Sequence, residues 1–487
     1  MSSTQNQPAI TAMTIGGTDR LAADGATIDT LNPATGKVIG RFPAATKADV
    51  DSAVDAAATA FEEWRRFSPQ RRQQALNAFA DIIDQHQDEL MHLDVAENGT
   101  PVREMRRDAQ KASRQLRYFA WLSLEAKGHT VPTDWDRVNF SLRQPWGVVG
   151  KIIPFNHPLM FAAAKIAAPL AAGNAVVLKP SEFTSLSALR LGELSRGILP
   201  DGVLNVITGY GATTGDSLVR HPDVRRLAFI GSATTGRAIQ RAAAEANVKN
   251  ITLELGGKNP LVVFGDADID KAVAAAQRGM NFTWQGQSCG STSRLLVQEE
   301  VYEEFVNRLG ASLDAMKQGD PADEGTDTGA IVNEPQFAKV KMYIEIGKQE
   351  GRLIAGGTVS GDEDSGGGMF VRPTLFADID PGARLAQEEI FGPVLAATSF
   401  RDYDDALRKA NDSQYGLTAS VFTSDLRTAM RFARDVEAGY VWVNEVSRHV
   451  EGTAFGGYKD SGVGREEDID ELLSYTQAKN VHIVCED

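Results

Sequence analysis

The 487-residue chain has 65 acidic and 50 basic side chains, a net charge of −15, and 42% hydrophobic residues. This charge argues against binding to nucleic acid or an anionic membrane surface, since both rely on Lys and Arg contacts. The length exceeds one ordinary core, so we expect two or three domains, and two cysteines favour a reducing, cytoplasmic compartment.

No targeting or membrane segment is expected. The first 17 residues lack a basic segment followed by an apolar core, so they do not resemble a signal peptide. The longest apolar run, 159–172, is interrupted by Lys165 and Pro169 and is shorter than the ~20 residues that cross a bilayer. A buried helix explains this run better.

The first 145 residues indicate short strands followed by helices. Residues 1–45 lack a strong period, and Thr46 with Asp49 resembles a capping box, which predicts that a helix begins there. Further helical regions are predicted at 71–93 and 100–127. Residues 138–143 alternate apolar and polar side chains, as a half-exposed strand does.

Short apolar runs separated by helical segments follow, starting about 25 residues apart. They occupy 148–153, 175–178, 203–207, 227–230 and 251–255. This spacing is typical of strand–helix–strand units in a parallel sheet covered on both faces. We therefore predict a doubly wound nucleotide-binding domain, with ligands beyond the carboxyl ends of the strands.

A second series of elements begins after a predicted domain boundary near 256–257. Strands are expected at 261–264, 394–398 and 440–443, with a helix at 301–316. The glycine-rich segment 356–368 is interpreted as a surface loop, and 481–484 as a β-prone segment that could pair with another strand.

Cys289 lies among small and polar residues, with Gly286 and Gly290 on either side. Glycine lets the backbone approach a ligand and leaves room around the sulfur. A cysteine kept for packing usually has apolar neighbours. The segment alone fits a reactive thiol or an inconsequential loop cysteine, while Cys485 is interpreted as incidental.

Polar residues follow three of the predicted strands, and each has a plain alternative. Gly231 to Gly236 could receive a pyrophosphate at a helix N-terminus, or form an ordinary strand–helix turn. Lys179 and Glu182 could hold ribose hydroxyls, or form a surface ion pair. Asn156 could donate to an oxyanion, or cap a helix.

Glu254 ends the last strand of the first series, just before Gly256 and Gly257. A carboxylate in an apolar strand has little structural reason to be there, and burial would raise its pKa toward the range of a general base. The seven histidines show no metal-ligand spacing, so no metal site is predicted.

Together these segments resemble the NAD(P)-dependent aldehyde dehydrogenase superfamily. The motifs that carry the resemblance occur in the family's order and spacing: PFNHP, KPSE, FIGS, ELGGK, GQSC, EEIFGPV and FGGYKDSGVGRE. The implied fold is α/β, with a Rossmann-type NAD-binding domain (1–122 and 146–256), an α/β catalytic domain (257–465) and a small β oligomerisation element (123–145 and 466–487). Family members are usually homodimers or homotetramers.

The resemblance also implies the catalytic roles. Cys289 would attack the aldehyde carbonyl, and Asn156 with the Cys289 amide would hold the thiohemiacetal oxyanion. After hydride transfer to the nicotinamide, Glu254 would activate the water that hydrolyses the thioester.

NAD is the implied cofactor, with NADP disfavoured because Glu182 would repel a 2′-phosphate. The implied cofactor-binding residues are Ile152, Pro154, Phe155, Lys179, Ser181, Glu182, Gly211, Gly215, Phe229, Gly231, Ser232, Thr235, Leu255, Glu389 and Phe391.

The aldehyde tunnel is expected to be wide and partly polar. Family position implies that it is lined by His157, Phe161, Ala164, Thr283, Ser288, Arg448, His449 and Phe455. The hypothesis is a medium-sized aldehyde with a polar or acidic group, which includes aldehydes that carry this group on an aromatic ring. Three alternatives stay open: a CoA-acylating relative, which commonly lacks the glutamate at position 254, a thiol hydrolase without a nucleotide, and a non-catalytic binding protein on this fold.

Overall fold

The computed structural model describes residues 9–360 and 368–485. Most of the predicted loop at 356–368 lies outside these residues. The elements of the first half are β1 (Met13–Ile15), β2 (Thr18–Arg20), β3 (Thr27–Leu31), β4 (Val38–Pro43), α1 (Lys47–Trp64), α2 (Pro69–Gln85), α3 (Gln87–Asn98), α4 (Val102–Leu122), β5 (Thr130–Val131), β6 (Arg137–Pro145), β7 (Val148–Ile152), α5 (Pro158–Ala172), β8 (Ala175–Lys179), α6 (Leu186–Leu194), β9 (Leu204–Val206), α7 (Asp216–Arg220), β10 (Val224–Gly231), α8 (Ala233–Ala246) and β11 (Asn250–Leu255).

The second half continues the alternation of strands and helices. Its elements are β12 (Pro260–Val263), α9 (Ile269–Gly279), β13 (Arg294–Gln298), α10 (Tyr302–Asp314), α11 (Glu334–Glu350), β14 (Arg352–Ala355), β15 (Thr374–Ala377), α12 (Arg384–Gln387), β16 (Val394–Phe400), α13 (Tyr403–Asn411), β17 (Tyr415–Gly416), β18 (Thr418–Phe422), α14 (Leu426–Asp435), β19 (Tyr440–Val443), β20 (Tyr458–Lys459), β21 (Gly462–Val463), α15 (Ile469–Ser474) and β22 (Thr476–Val484).

The predicted beginning of α1 is confirmed. The Thr46 hydroxyl accepts from the Asp49 amide, and the Asp49 carboxylate accepts from the Thr46 amide, so two otherwise unpaired helix donors are satisfied. The region predicted as one helix at 71–93 is instead two helices, α2 and α3, which meet at His86. That residue leaves helical geometry, with φ −104 and ψ 14.

The first sheet has eight strands in the order β2-β1-β9-β8-β7-β10-β11-β21. Strands β9, β8, β7, β10 and β11 pair in parallel, which confirms the predicted doubly wound arrangement. Their side chains are almost all buried, because helices cover both faces of the sheet. All five strands end at one edge, where the register aligns Ile152 with Lys179 and Ile230 with Glu254.

The second sheet has seven strands in the order β14-β15-β16-β13-β12-β18-β19. All its pairings are parallel except that of the edge strand β14 with β15. The chain passes from the first sheet to the second between β11 and β12, at the predicted boundary. Cys289 lies between α9 and β13 of this second unit.

A third, smaller sheet contains β22, β6 and β5. The pairing of β6 with β22 extends from Thr476 opposite Pro145 to Val484 opposite Arg137. Apolar side chains on this sheet are exposed, among them Val138, Leu142 and Ile483. Across residues 9–360 and 368–485, no helix combines the length and apolarity required for a membrane span.

Candidate active site

The loop that carries Cys289 is held by contacts with two segments that precede strands of the second sheet, at Gly392 before β16 and at Asn259 before β12. Gly286 has φ +66, and a Cβ on it would lie 2.2 Å from the Gly392 carbonyl oxygen, so only glycine fits this approach. The Asn259 amide donates to the Cys289 carbonyl at 2.7 Å and to the Ser291 carbonyl at 3.0 Å. These contacts fix the position of the cysteine at the junction of the two sheets.

Glu254, at the end of β11, lines the same cavity as Cys289, and the two groups influence each other's pKa. Burial, together with the charge of Glu466, raises the pKa of Glu254 to about 7, against the opposing charge of Lys165. Burial and the charge of Glu254 also raise the pKa of the thiol well above its ordinary value. The cysteine is therefore protonated at neutral pH and lies beside a carboxylate that can accept its proton.

A buried ion pair lies behind Glu254. Lys165 of α5 donates to Glu466 at 2.6 Å, and both side chains are buried. Burial lowers the pKa of Lys165, but the combined charges of Glu466, Glu471, Glu467 and Glu254 outweigh burial and raise it. Burial alone would raise the pKa of Glu466, yet the Lys165 charge holds it below its usual value.

Asn156 lies in the turn between β7 and α5 and is buried. Its Oδ1 atom has no hydrogen-bond partner among residues 9–360 and 368–485. The turn is held in place by Asn98, whose amide donates to the Phe155 carbonyl at 2.6 Å. Asn156 does not cap α5, because the helix cap is His157, which makes no side-chain capping bond.

A cavity of about 1030 Å³ opens onto Cys289 and Glu254. The predicted tunnel residues that line it are His157, Phe161, Thr283, Ser288, Arg448, His449 and Phe455. The expectation for Ala164 is wrong: this residue lies on the same face of α5 as the lining residues Met160, Phe161 and Lys165, but its short side chain is buried and does not line the cavity.

Helix α4 forms one wall of the cavity, which the sequence interpretation missed. Its lining residues recur at helical spacing on one face: Glu104, Arg107, Asp108, Lys111, Arg114 and Gln115. Asp108 accepts from His157 at 2.6 Å, and Lys111 lies 3.4 Å from Glu467. The charged stripe along residues 104–115 was the available signal, but a solvated helix face has the same pattern.

The first part of the predicted cofactor site surrounds the end of β8. The Lys179 ammonium donates to the Pro180 carbonyl at 2.9 Å and lies 3.5 Å from Glu182. A Cβ on Gly215 would lie 3.8 Å from the Lys179 side chain, and a Cβ on Gly211 would contact nothing within 4 Å. These glycines leave space beside a buried lysine, as a cradle for a nucleotide requires.

The second part surrounds the N-terminus of α8. The Ser232 hydroxyl accepts from the Thr235 amide at 3.2 Å and lies 3.0 Å from the Thr235 hydroxyl. The Phe229 ring covers Gly231, where a Cβ would come within 2.4 Å of it. The Leu255 side chain packs against this turn at Gly236. The helix amides face the same sheet edge as Lys179, so an anionic pyrophosphate fits here.

The third part joins the two sheets. Glu389 accepts from the Gly257 amide at 3.0 Å, and burial raises the pKa of its carboxyl. The Phe155 ring packs edge-on against Phe391 at 5.7 Å. The remaining predicted cofactor residues, Ile152, Pro154 and Ser181, lie at or just beyond the ends of β7 and β8. The residues present therefore fit a dinucleotide along this edge.

No group of three or more His, Cys, Asp or Glu side chains that could hold a metal ion occurs in the described ranges.

The comparisons with known proteins agree with this geometry. The aldehyde dehydrogenase family model matches residues 21–481. Aldehyde dehydrogenase tropH of Talaromyces stipitatus is 43% identical over 464 residues, which cover 93% of this chain and 90% of that protein. The structure of an NAD-dependent aldehyde dehydrogenase from Sinorhizobium meliloti has a TM-score of 0.95 at 38% identity, covering 100% of this chain and 97% of that one. PnpE in complex with nicotinamide adenine dinucleotide also has a TM-score of 0.95 at 38% identity, covering 98% of both chains.

The chain belongs to the aldehyde dehydrogenase family. It is an oxidoreductase that acts on aldehydes and uses NAD(P).

Proposed function

We propose that this enzyme oxidises a polar or aromatic aldehyde to the carboxylic acid with NAD, through a covalent intermediate on Cys289. The observation that carries the proposal is that the Cys289 thiol and the buried Glu254 carboxylate, which influence each other's pKa, line the same cavity of about 1030 Å³. The two groups come from different sheets, and the cofactor cradle lies at the same junction.

The first step is proton transfer from the Cys289 thiol to Glu254. The thiolate is the nucleophile, and burial disfavours it until a substrate and a proton acceptor are in place. Because the pKa of Glu254 is about 7, a large fraction of the enzyme has the acceptor ionised at neutral pH. The sulfur then bonds to the aldehyde carbon, and the carbonyl oxygen takes the negative charge.

That oxyanion requires hydrogen-bond donors. The side-chain amide of Asn156 and the backbone N–H of Cys289 are the proposed donors. The support from the structure is that Asn156 is buried, that its turn is fixed through Phe155, and that it does not cap α5. No structural role as a helix cap therefore accounts for the Asn156 side chain.

Bound NAD would supply the hydride acceptor for the thiohemiacetal carbon, and loss of that hydride would leave a thioester on Cys289. The residues proposed to hold it are the turn Gly231, Ser232 and Thr235, the buried Lys179, and Glu389 at the junction. Glu182 beside Lys179 supports NAD over NADP, because its negative charge would oppose a 2′-phosphate.

Hydrolysis of the thioester completes the reaction. Glu254 first releases to solvent the proton that it took from Cys289. It then takes a proton from water, the hydroxide oxygen bonds to the acyl carbon, and the carbon–sulfur bond breaks to release the acid. The Cys289 sulfur leaves as thiolate and regains its proton. This role for Glu254 favours hydrolysis over transfer of the acyl group to CoA.

The substrate proposal rests on the composition of the cavity wall. Phe161, Trp284 and Phe455 supply flat apolar surfaces, and His157 and His449 supply ring nitrogens. Such a lining suits an aldehyde with an aromatic or conjugated body and a polar substituent.

We also propose that the protein is a cytoplasmic homodimer or homotetramer. The exposed apolar side chains of the β22-β6-β5 sheet support an assembly through this surface.

The test is NADH formation, followed by absorbance, across neutral, aromatic and acidic aldehydes with NAD or NADP. Cys289→Ala should abolish turnover, while Cys485→Ala, which changes the other, exposed cysteine, should retain it. Dependence of NADH formation on added CoA would instead indicate acyl transfer, and activity in Cys289→Ala would refute the mechanism.

A further inference from the structure

One wall of the cavity holds a histidine in a fixed orientation. The Nδ1 atom of His449 lies 3.0 Å from the Glu467 carboxylate. Its ring stacks on Tyr440 at 5.6 Å and contacts Phe455 at 4.7 Å. Because Nδ1 is hydrogen-bonded to the Glu467 carboxylate, Nε2 is the ring nitrogen of His449 that can bind a ligand.

Positive charge exceeds negative charge around this histidine. Glu467 is a single carboxylate that faces both His449 and Lys111, the latter at 3.4 Å. Burial opposes its ionisation, but the charges of Lys111 and His449 hold its pKa well below the usual range. The single ionised carboxylate of Glu467 is therefore shared between two basic groups, the imidazole of His449 and the ammonium of Lys111.

The neighbouring Arg448 adds a further cation. It is exposed, lines the cavity, and has no carboxylate within 4 Å of its guanidinium in the described parts of the chain. Glu445, which feels its charge, forms its own ion pair with Arg278 at 2.8 Å. Glu451, also on this wall, pairs with Arg114 at 2.7 Å.

The part of the cavity wall around His157 is balanced in charge. There, His157 pairs with Asp108 at 2.6 Å, and its ring contacts Phe161 and Trp284. Among the basic groups of the described residues, the Asp108 carboxylate contacts only the His157 imidazole, and the nearby Arg107 forms an ion pair with Glu104 at 2.7 Å. This wall suits the flat body of a substrate rather than a charge.

We propose that His449, Lys111 and Arg448 together bind a carboxylate at the end of the substrate remote from the aldehyde, so that the enzyme acts on aldehyde acids. The assignment of the aldehyde end rests on the proposed function, but anion binding at this wall does not require turnover. The imidazole Nε2–H, the ammonium and the guanidinium are all donors, and charge-assisted bonds to a carboxylate are among the stronger ones in proteins.

The first test is binding, and it needs no chemistry. The full-length enzyme is titrated calorimetrically with benzoate and with benzamide, which differ only in that a neutral amide replaces the single carboxylate. We expect benzoate to bind about tenfold more tightly or better. Equal affinity would overturn the proposal, even for an enzyme that turns over no aldehyde.

The second test is the ratio of kcat/KM for 4-formylbenzoate to that for 4-formylbenzamide. We expect the acid to be preferred by about tenfold or more, mainly through KM. His449→Phe, which keeps a ring between Tyr440 and Phe455, and Arg448→Gln should each lower this ratio severalfold. An unchanged ratio in both variants would overturn the assignment.

Arg308→Gln is the matched control. It removes the same charge from an exposed arginine on α10, ion-paired to Asp270 and outside the cavity, and should keep the wild-type ratio. A similar decrease of the kcat/KM ratio in this control would show that the overall charge of the protein, rather than a local site, sets the preference for the acid, and would refute the proposed site. Absence of NADH with every aldehyde would refute the proposed function, while the calorimetry alone would still decide the anion site.

Discussion

The inner end of the cavity and its mouth use charged residues in opposite ways. At the inner end, Glu254, Lys165 and Glu466 are buried, and burial moves the pKa of Glu254 to about 7. At the mouth, Arg114 pairs with Glu451 while 62% of the arginine side chain stays exposed. Ionisable groups buried together control one another's protonation, whereas water screens those at the mouth. Chemistry is therefore expected at the inner end and selection of the substrate nearer the mouth.

The largest expected effect comes from removing the sulfur. Cys289→Ala should lower kcat by at least about 10⁴-fold, because Cys289 carries the only thiol among the described residues that line the cavity. Steady-state NADH formation measures this, and unaltered NAD binding by calorimetry would show that the fold is intact. A kcat of Cys289→Ala within tenfold of the wild-type value would show that the reaction does not take place at the inner end of the cavity.

Glu254→Gln should lower kcat by about 10²–10⁴-fold, since it removes the proposed general base while keeping a similar shape. In the wild-type enzyme, kcat should rise with pH through about 7, because the pKa of Glu254 lies there and the base form exists above it. The variant should lack this ionisation. A wild-type profile in the variant would assign the base to another group.

Lys165→Met should cost about 3–5 kcal/mol of unfolding free energy, because it leaves Glu466 charged and unpaired in the interior. The Lys165 charge also lowers the pKa of Glu254, so the rise of kcat should move to higher pH in the variant. Denaturant unfolding and the pH profile measure the two effects. Lys348→Met, which removes an exposed partner of Glu345, is the control.

Asn156→Ala should lower kcat by about 10²–10³-fold, the usual cost of one oxyanion donor. Substrate binding should change less, because the donor acts on charge that develops during the reaction. Comparing kcat with KM for one good substrate tests this. A purely structural asparagine would instead lower stability and leave kcat of the folded fraction unchanged.

Arg114→Gln, at the mouth, should change the unfolding free energy by no more than about 1 kcal/mol, as exposed ion pairs usually do. Denaturant unfolding measures it. A loss comparable to that of Lys165→Met would erase the distinction between the two ends of the cavity.

Local patterns in the chain determined much of the fold and of the site. The spacing of apolar runs was enough to predict the parallel strands β7 to β11, because strands buried on both faces are continuous apolar stretches. The motifs around Cys289, Glu254 and Asn156 predicted the reacting groups of the proposed mechanism, and the resemblance named seven residues that line the cavity. Each of these signals lies within a short segment, which a sequence displays directly.

Only the tertiary structure decided which distant groups meet. Lys165 and Glu466 are 301 residues apart, Asp108 reaches His157 across 49 residues, and Glu467 holds His449. The face that α4 turns to the cavity, and the exclusion of Ala164 from it, depend on how whole helices pack. Packing angles and the burial of charge arise from long-range contacts, and these set the pKa of Glu254 and the charge imbalance at His449.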